Sequence, residues 1–367
     1  MLDPTLSQWL DAQALDLDVG SGDSQKVLSW LAAADVLRVG VNQLEGGNGK
    51  TIADAVEVLA QIASCSLAAA FVFCGQRTFI EYLIKSPNKA LREKLLPSLL
   101  DGKLAGATGL SNAMKFLSGI EALLVTASST EKGWRVDGRL PWVTNLRRSG
   151  FVVAAAVEGT RDGRPFILAI PSTLSGLKRS DDLQLIGLQS TNTAALHFTQ
   201  LDVNREWLIH DDARVFLPAL RPAFLGLQCG LAIGLARRSL MEVEVRIRGN
   251  RSVLAETFHE QRRRLEHLVS DLKSGLLDGR FVAEPTALFC LRIAFSESAT
   301  NAVNLELQAS GGSAFLSGNS HGFARRLRES AFLPILTPSL VQLRTELQRQ
   351  GGEAVVWRPA AASRVHG

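Results

Sequence analysis

Residues 138–145 read Gly138-Arg139-Leu140-Pro141-Trp142-Val143-Thr144-Asn145. Leu140 to Thr144 is expected to be a strand, and Trp142 and Thr144 stand two positions apart, so their side chains point to one face. Such a face offers an aromatic wall beside a hydroxyl. Taken alone, the same pair also reads as a core tryptophan next to a surface threonine. Trp134-Arg135-Val136 precedes it, and the intervening Asp137-Gly138 predicts a hairpin turn. Working outward, a helix-rich segment upstream ends in Leu104-Ala105-Gly106-Ala107-Thr108-Gly109. Downstream come β-like runs, and then a second helix-rich half carrying Gln308-Ala309-Ser310-Gly311-Gly312.

The upstream half is expected to hold an amphipathic helix over Ser24–Leu37, with Val27, Leu28, Leu31 and Val36 on one face. Leu44-Glu45-Gly46-Gly47-Asn48-Gly49 breaks regular structure. Thr51 to Phe73 reads as one long, nearly all-apolar helix, buried on several sides. Asn88 to Leu100 resumes an amphipathic pattern and stops at Asp101-Gly102. Further strands are expected at Phe151–Val157 and Phe166–Ile170, flanking an Asp162-Gly163 turn, and at Leu196–Val203. From Val215 the helical pattern runs to about Gln350. Gly226, Gly230 and Gly234 recur at every fourth position, a small-residue face for close helix packing. The boundaries that follow are a helical domain 1–106, a β domain 107–214, a helical domain 215–350 and a tail 351–367. No internal repeat is evident.

The chain has 367 residues, 46% hydrophobic and 21% charged, with a mean hydropathy of +0.10, enough to bury a large core in two or three domains. A net charge of +4 does not indicate a nucleic-acid role. Arg262-Arg263-Arg264 and Arg325-Arg326 sit in helical patterns and read as solvated or subunit-facing surface, with a phosphate contact as the sharper alternative. Cys65, Cys74, Cys229 and Cys290 are scattered through apolar context, as buried free thiols of a reducing compartment would be. No metal spacing occurs among the six histidines, so no metal is expected. His321 is the histidine placed nearest a candidate ligand. The apolar stretch Ile62–Phe73 is interrupted by serines and reads as too short to span a bilayer. With no signal pattern at the N-terminus, a soluble cytoplasmic protein with no membrane role is the expectation.

Helices, a small β module and helices again, with these motifs, resemble the acyl-CoA dehydrogenase family from about Val36 to Leu347. Leu44–Gly49 resembles its early glycine-rich loop, and Leu95-Leu96-Pro97 with Asp101-Gly102 its Leu-Pro-x-x-x-x-Gly segment. Trp142-Val143-Thr144-Asn145 is similar to its Trp-Ile-Thr-Asn. Gly187-Leu188-Gln189-Ser190-Thr191-Asn192-Thr193 is similar to Gly-x-Arg-x-Ser-x-Thr, with Gln189 for arginine. Arg221-Pro222 and Gly230-Leu231-Ala232 resemble the opening of the C-terminal bundle. The implied fold is α+β and mainly helical: an N-terminal helical domain, a small central β-barrel or sandwich, and a C-terminal four-helix bundle. The implied cofactor is FAD. Trp142 would pack on its ring and Thr144 would hydrogen-bond near its reactive nitrogen. Thr108 and Ser111, where the family has Thr-Glu-Pro-x-x-Gly-Ser, would also contact it, as would Ser339. Arg248 or Arg251 would pair with its pyrophosphate. Gln308, Gly311 and Gly312 would meet FAD bound by a neighbouring subunit, where glycine admits close backbone approach. A homodimer or homotetramer is therefore implied.

The family's reaction needs a carboxylate to take the α-proton of an acyl thioester, a task a neutral hydroxyl cannot perform. One family base follows an Arg-Asp pair. Arg328-Glu329 resembles that pair, and the count onward reaches Thr337-Pro338-Ser339 instead of Glu-Gly-Thr. The other position, just before Arg221-Pro222, holds Leu220. Glu329 and Glu346 are substitute candidates, with salt bridging or solvation as the bland reading of each, and the catalytic base stays unassigned. Pro338 is expected to push Thr337 out of helical geometry. Three functions remain open. One is an oxidoreductase acting on an acyl-CoA or other small hydrophobic substrate, passing electrons to an electron-transferring flavoprotein. The second is a monooxygenase using O2 and reduced flavin from a flavin reductase. The third is a non-catalytic partner in a hetero-oligomer with an active paralogue.

Overall fold

Asp3 opens α1 (Pro4–Val19) by accepting the Leu6 N–H, and Gly20 closes it in the left-handed region. The helix expected over Ser24–Leu37 is shorter: α2 spans Val27–Ala33, between a 3₁₀ turn at Ser24–Lys26 and Asp35, whose φ of 58° ends it. The helix expected from Thr51 to Phe73 is in fact two. Thr51 and Asp54 cap α3 (Ile52–Cys65) reciprocally. Ser66 then leaves helical geometry and its hydroxyl accepts the Ala69 N–H, starting α4 (Leu67–Lys85). A serine that satisfies an orphan N–H of a new helix outcompetes continuation of the old one. Asn88 caps α5 (Lys89–Leu100), which stops at Asp101 as expected. The computed structural model describes residues 2–117, 119, 121–160, 163–316 and 322–351. Asp162, His321 and the tail from 352 onward lie outside the described residues.

The strands are β1 (Ala105–Gly109), β2 (Val125–Ser129), β3 (Gly133–Val143), β4 (Phe151–Gly159), β5 (Pro165–Pro171), β6 (Leu177–Asp182), β7 (Ala194–Asn204) and β8 (Leu208–His210), with α6 (Ser111–Leu117) after β1. They form one mixed sheet in the order β6-β7-β3-β2-β4-β5-β8, with β1 joined in parallel to β4. The hairpin expected at Asp137-Gly138 is instead a bulge within the continuous strand β3. Gly138 has φ 137°, and a Cβ there would stand 2.2 Å from the Leu124 carbonyl. Glycine is needed for that close approach, not for a reversal.

β4 and β5 are buried on both faces. Phe151, Val153, Ala155 and Val157 enter the main core, while Val152, Ala154 and Ala156 enter a second cluster with Phe79, Tyr82, Phe216 and Leu220. Strict alternation on a two-sided sheet produces this division.

The C-terminal helices are α7 (Ala213–Glu244), α8 (Ala255–Asp278), the single turn α9 (Arg280–Ala283), α10 (Pro285–Ser310), α11 (Phe323–Phe332) and α12 (Leu340–Arg349). The small-residue face of α7 packs as expected. A Cβ on Gly230 would lie 2.9 Å from the Val56 carbonyl, and one on Gly234 2.2 Å from that of Ala60, both on α3. α4 and α7 are each long and apolar enough to cross a bilayer by length and composition, more than the interrupted stretch Ile62–Phe73 implied. Their apolar windows are 89% and 72% buried within the fold.

Candidate functional site

Trp142 ends β3 with 59% of its surface exposed, while its neighbour Val143 is buried. The tryptophan therefore is not a core residue, and its apolar face is free for a ligand. Thr144 lies just past Val143, outside the strand expected to include it, and its hydroxyl lies 3.0 Å from that of Thr193. The segment is held from behind. Asn145, fully buried with φ 66°, donates to Gln76 Oε1 and to the Gly106 carbonyl. Gln76 of α4 also accepts the Gly106 N–H and donates to the carbonyls of Leu99 and Leu104. One buried glutamine thus joins α4, the end of α5, the start of β1 and the end of β3. Thr108 belongs to this β1 unit, and Ser111 starts α6 just beyond it. Sequence reading missed Gln76; its signal was a polar run, Gln76-Arg77-Thr78, in the middle of a largely buried helix.

The second group of expected residues gathers at the C-terminal end of α10. Gly311 has φ 63°, and a Cβ on it would stand 3.5 Å from Arg251 Nη2. Gly312 has open space around its Cα, and Gln308 is exposed one turn earlier. Arg248 immediately precedes the 3₁₀ turn that carries Arg251. The principal packing partners of this cluster are α8, α10 and α11, not the strands. The hydroxyl and N–H of Ser339 form a reciprocal cap with Gln342 at the start of α12. That use accounts for its place in the sequence without a cofactor.

The two base positions carry no carboxylate. Leu220 is buried in the second apolar cluster. Thr337 lies in the turn between α11 and α12, its carbonyl accepting from Gln228 Nε2 at 2.8 Å. Both substitutes are engaged in ion pairs, and Glu329 Oε2 is left without a partner. Glu329 is fully buried, with Oε1 taken by Arg325 at 2.6 Å and by the Leu67 N–H. Glu346 pairs with Arg349 at 3.3 Å on α12. Arg328, the first half of the expected Arg-Asp pair, bonds the buried Asp18 of α1 at 2.6 Å.

Three arginines are almost wholly enclosed: Arg77, Arg292 and Arg326. Arg77 is paired with Glu81 and Arg326 with Glu306. Arg292 has no carboxylate partner among the described residues. It reaches Gln228 Oε1 at 3.4 Å and the Leu333 carbonyl at 2.9 Å, and its Nη1 is unpartnered. Burial pushes its pKa down, and pushes the nearby thiols of Cys74 and Cys229 up to about 12. A cation therefore stands behind the turn that carries Thr337.

Helices, a mixed sheet and a helical bundle in this arrangement define the class: the chain has the acyl-CoA dehydrogenase fold. Among solved structures it is similar to butyryl-CoA dehydrogenase from Megasphaera elsdenii, with a TM-score of 0.81, 16% identity and coverage of 92% of this chain and 93% of that one. It is equally similar to FkbI, of methoxymalonyl extender unit biosynthesis, with a TM-score of 0.81, 17% identity and coverage of 96% and 99%. Dibenzothiophene monooxygenase TdsC from Paenibacillus sp. A11-2 shares the fold at a TM-score of 0.75, 16% identity and 95% of each chain. No family model matches the chain. In sequence it is 26% identical over 167 residues to isovaleryl-CoA dehydrogenase, mitochondrial, of Pongo abelii, covering 43% of this chain and 38% of that protein. It is 24% identical over 259 residues to the probable acyl-CoA dehydrogenase YngJ of Bacillus subtilis (strain 168), covering 65% and 66%. The matches thus span less than two-thirds of either relative.

Proposed function

We propose that this protein is a flavin-dependent oxidoreductase that binds FAD and acts on an acyl-CoA or related substrate, without the carboxylate-driven α,β-dehydrogenation of its fold relatives. The carrying observation is the exposed Trp142 side chain near the end of β3, with Thr144 two residues on, its hydroxyl 3.0 Å from that of Thr193. A planar ring gains dispersion and apolar burial against such a face, and a hydroxyl fixes its edge. The open Gly311-Gly312 turn next to Arg251 supports the reading, since a guanidinium beside bare backbone suits a pyrophosphate. Its separation from the strands agrees with a site completed by a second copy of the chain, a homodimer or homotetramer. Bound there, FAD would supply the two-electron acceptor. Trp142 would stack on the ring and the Thr144 hydroxyl would orient its edge.

A second reading, a monooxygenase using reduced flavin and O2, is favoured by the base positions. Leu220 is enclosed by apolar side chains, Thr337 is a hydroxyl, and Arg292 behind it is cationic. A reaction that begins by abstracting an α-proton finds no acceptor there. One experiment tests the proposal. The purified protein is assayed for bound FAD and then mixed anaerobically with butyryl-CoA and isovaleryl-CoA. Bound FAD without bleaching, together with O2-dependent substrate oxidation when reduced flavin is supplied, is the expected result. Rapid bleaching would show that a dehydrogenase base exists elsewhere. No flavin binding by the chain alone would sink the proposal and favour a partner-subunit role.

A further inference from the structure

α7, α8 and α10 pack against one another in the C-terminal bundle, and between them remains a gap of about 20 Å³. α7 contributes the apolar Ala236 and Leu240 to its lining, α8 contributes Gln261 and Arg264, and α10 contributes Ser298 and Asn301. Three polar atoms of these side chains are enclosed and have no hydrogen-bond partner in the protein: Gln261 Oε1, Arg264 Nε and Ser298 Oγ. Their residues as wholes are only partly buried, so the loss of solvent is specific to the atoms that meet the gap. Arg264 closes the arginine run 262–264. Arg262 turns outward to Glu244 and Glu266, each at 3.2 Å, whereas Arg264 has only Nη2 near a carboxylate, 4.0 Å from Glu297.

An enclosed donor or acceptor that loses its hydration without gaining a partner is costly. Three such atoms around one gap can all be satisfied by a single guest. Size and chemistry together say which guest fits. Roughly 10–15 Å³ of free space suffices for one water. Gln261 Oε1 can only accept, Arg264 Nε–H can only donate, and the Ser298 hydroxyl can do either. A bare anion would face the Gln261 oxygen, and a bare cation would face the Arg264 guanidinium. An apolar guest would leave all three atoms unpaired. Water both donates and accepts, and about three hydrogen bonds are the usual complement of a buried one.

We infer that the gap between α7, α8 and α10 binds one water molecule as a fixed part of the bundle, donating to Gln261 Oε1 and Ser298 Oγ and accepting from Arg264 Nε–H. The water takes the place of a direct polar contact between α8 and α10, at little loss relative to one. The site is independent of the flavin reading, since none of its residues belongs to the end of β3 or to the Gly311-Gly312 turn.

The test has two arms, and the first needs only the wild-type full chain. Its crystal structure should show one density peak in the gap, within hydrogen-bond range of all three atoms, with no anomalous signal after soaking in bromide or rubidium. A gap without density overturns the inference, and so does an anomalous peak, which would make the guest an ion. The second arm is oxygen-17 relaxation dispersion in solution, which counts waters held longer than the protein tumbles. Gln261→Leu combined with Ser298→Ala removes both acceptors and fills the space, so the amplitude should fall by a single water. Equal amplitudes in the two proteins overturn the inference. Each substitution alone breaks the same bridge, so the effect of the pair on the unfolding equilibrium constant should fall short of the product of the single effects by about threefold or more. A simple product would mean that no shared guest joins the two side chains, and overturns it as well.

Discussion

The end of β3 and the turn between α11 and α12 are both tied down by a buried glutamine, yet they face their ligands with opposite provisions. At the end of β3, Gln76 holds Asn145 and β1, with the exposed Trp142 and the Thr144 hydroxyl on the segment just before them. At the turn, Gln228 holds the Thr337 carbonyl, and the cation Arg292 stands behind it without a counter-charge. On the proposed reading, the ring-facing surface persists where a proton-abstracting group is missing, so that cofactor geometry and reaction chemistry reside on separate elements of the fold.

Four substitutions test this contrast. Arg325→Met leaves Glu329 buried without its partner and should cost about 3–5 kcal/mol of stability, read by urea denaturation. An undiminished midpoint would mean that the α11 pair does not anchor the turn. Gln76→Leu strands two carbonyls, an N–H and an amide behind β3; a loss of about 2–4 kcal/mol is expected, with flavin affinity falling as the strand end loosens. Trp142→Ala should weaken flavin binding about tenfold while stability changes by less than about 0.5 kcal/mol, because the ring is largely exposed. Unchanged flavin content would mean that Trp142 is not the wall. Arg292→Met removes an unbalanced buried charge, and stability should stay within about 1 kcal/mol of wild type or rise. A fall as large as that of Arg325→Met would show that Arg292 has a counter-ion after all.

Local patterns in the sequence were reliable where neighbours along the chain decide the outcome. The Gly226-Gly230-Gly234 face and the stop of α5 at Asp101 are of this kind. Patterns that depend on what crosses over them were not. Gly138 looks like a turn because nothing in the sequence says that the Leu124 carbonyl passes 2.2 Å from its missing Cβ. Ser66 divides an apolar run because its hydroxyl, given the choice, caps a new helix. Arg292 is indistinguishable in sequence from a solvated helix arginine, and only the packing of α7 and α10 reveals it as enclosed. Thr144 and Thr193 meet although they stand 49 positions apart, so no spacing rule could pair them. The motif resemblance did bring Arg251 and Gly311 to one place, though not Ser339, whose capping role is local.

The most direct measurement is α-hydrogen exchange. Protein loaded with FAD is incubated anaerobically with butyryl-CoA in deuterated water, and the thioester is examined for α-deuterium while the flavin band is followed. With Thr337 and Leu220 at the two base positions, the flavin should stay oxidised and exchange should not exceed that of FAD and thioester alone. Rapid α-deuteration with bleaching would contradict the account, because it would require a carboxylate at the reaction centre.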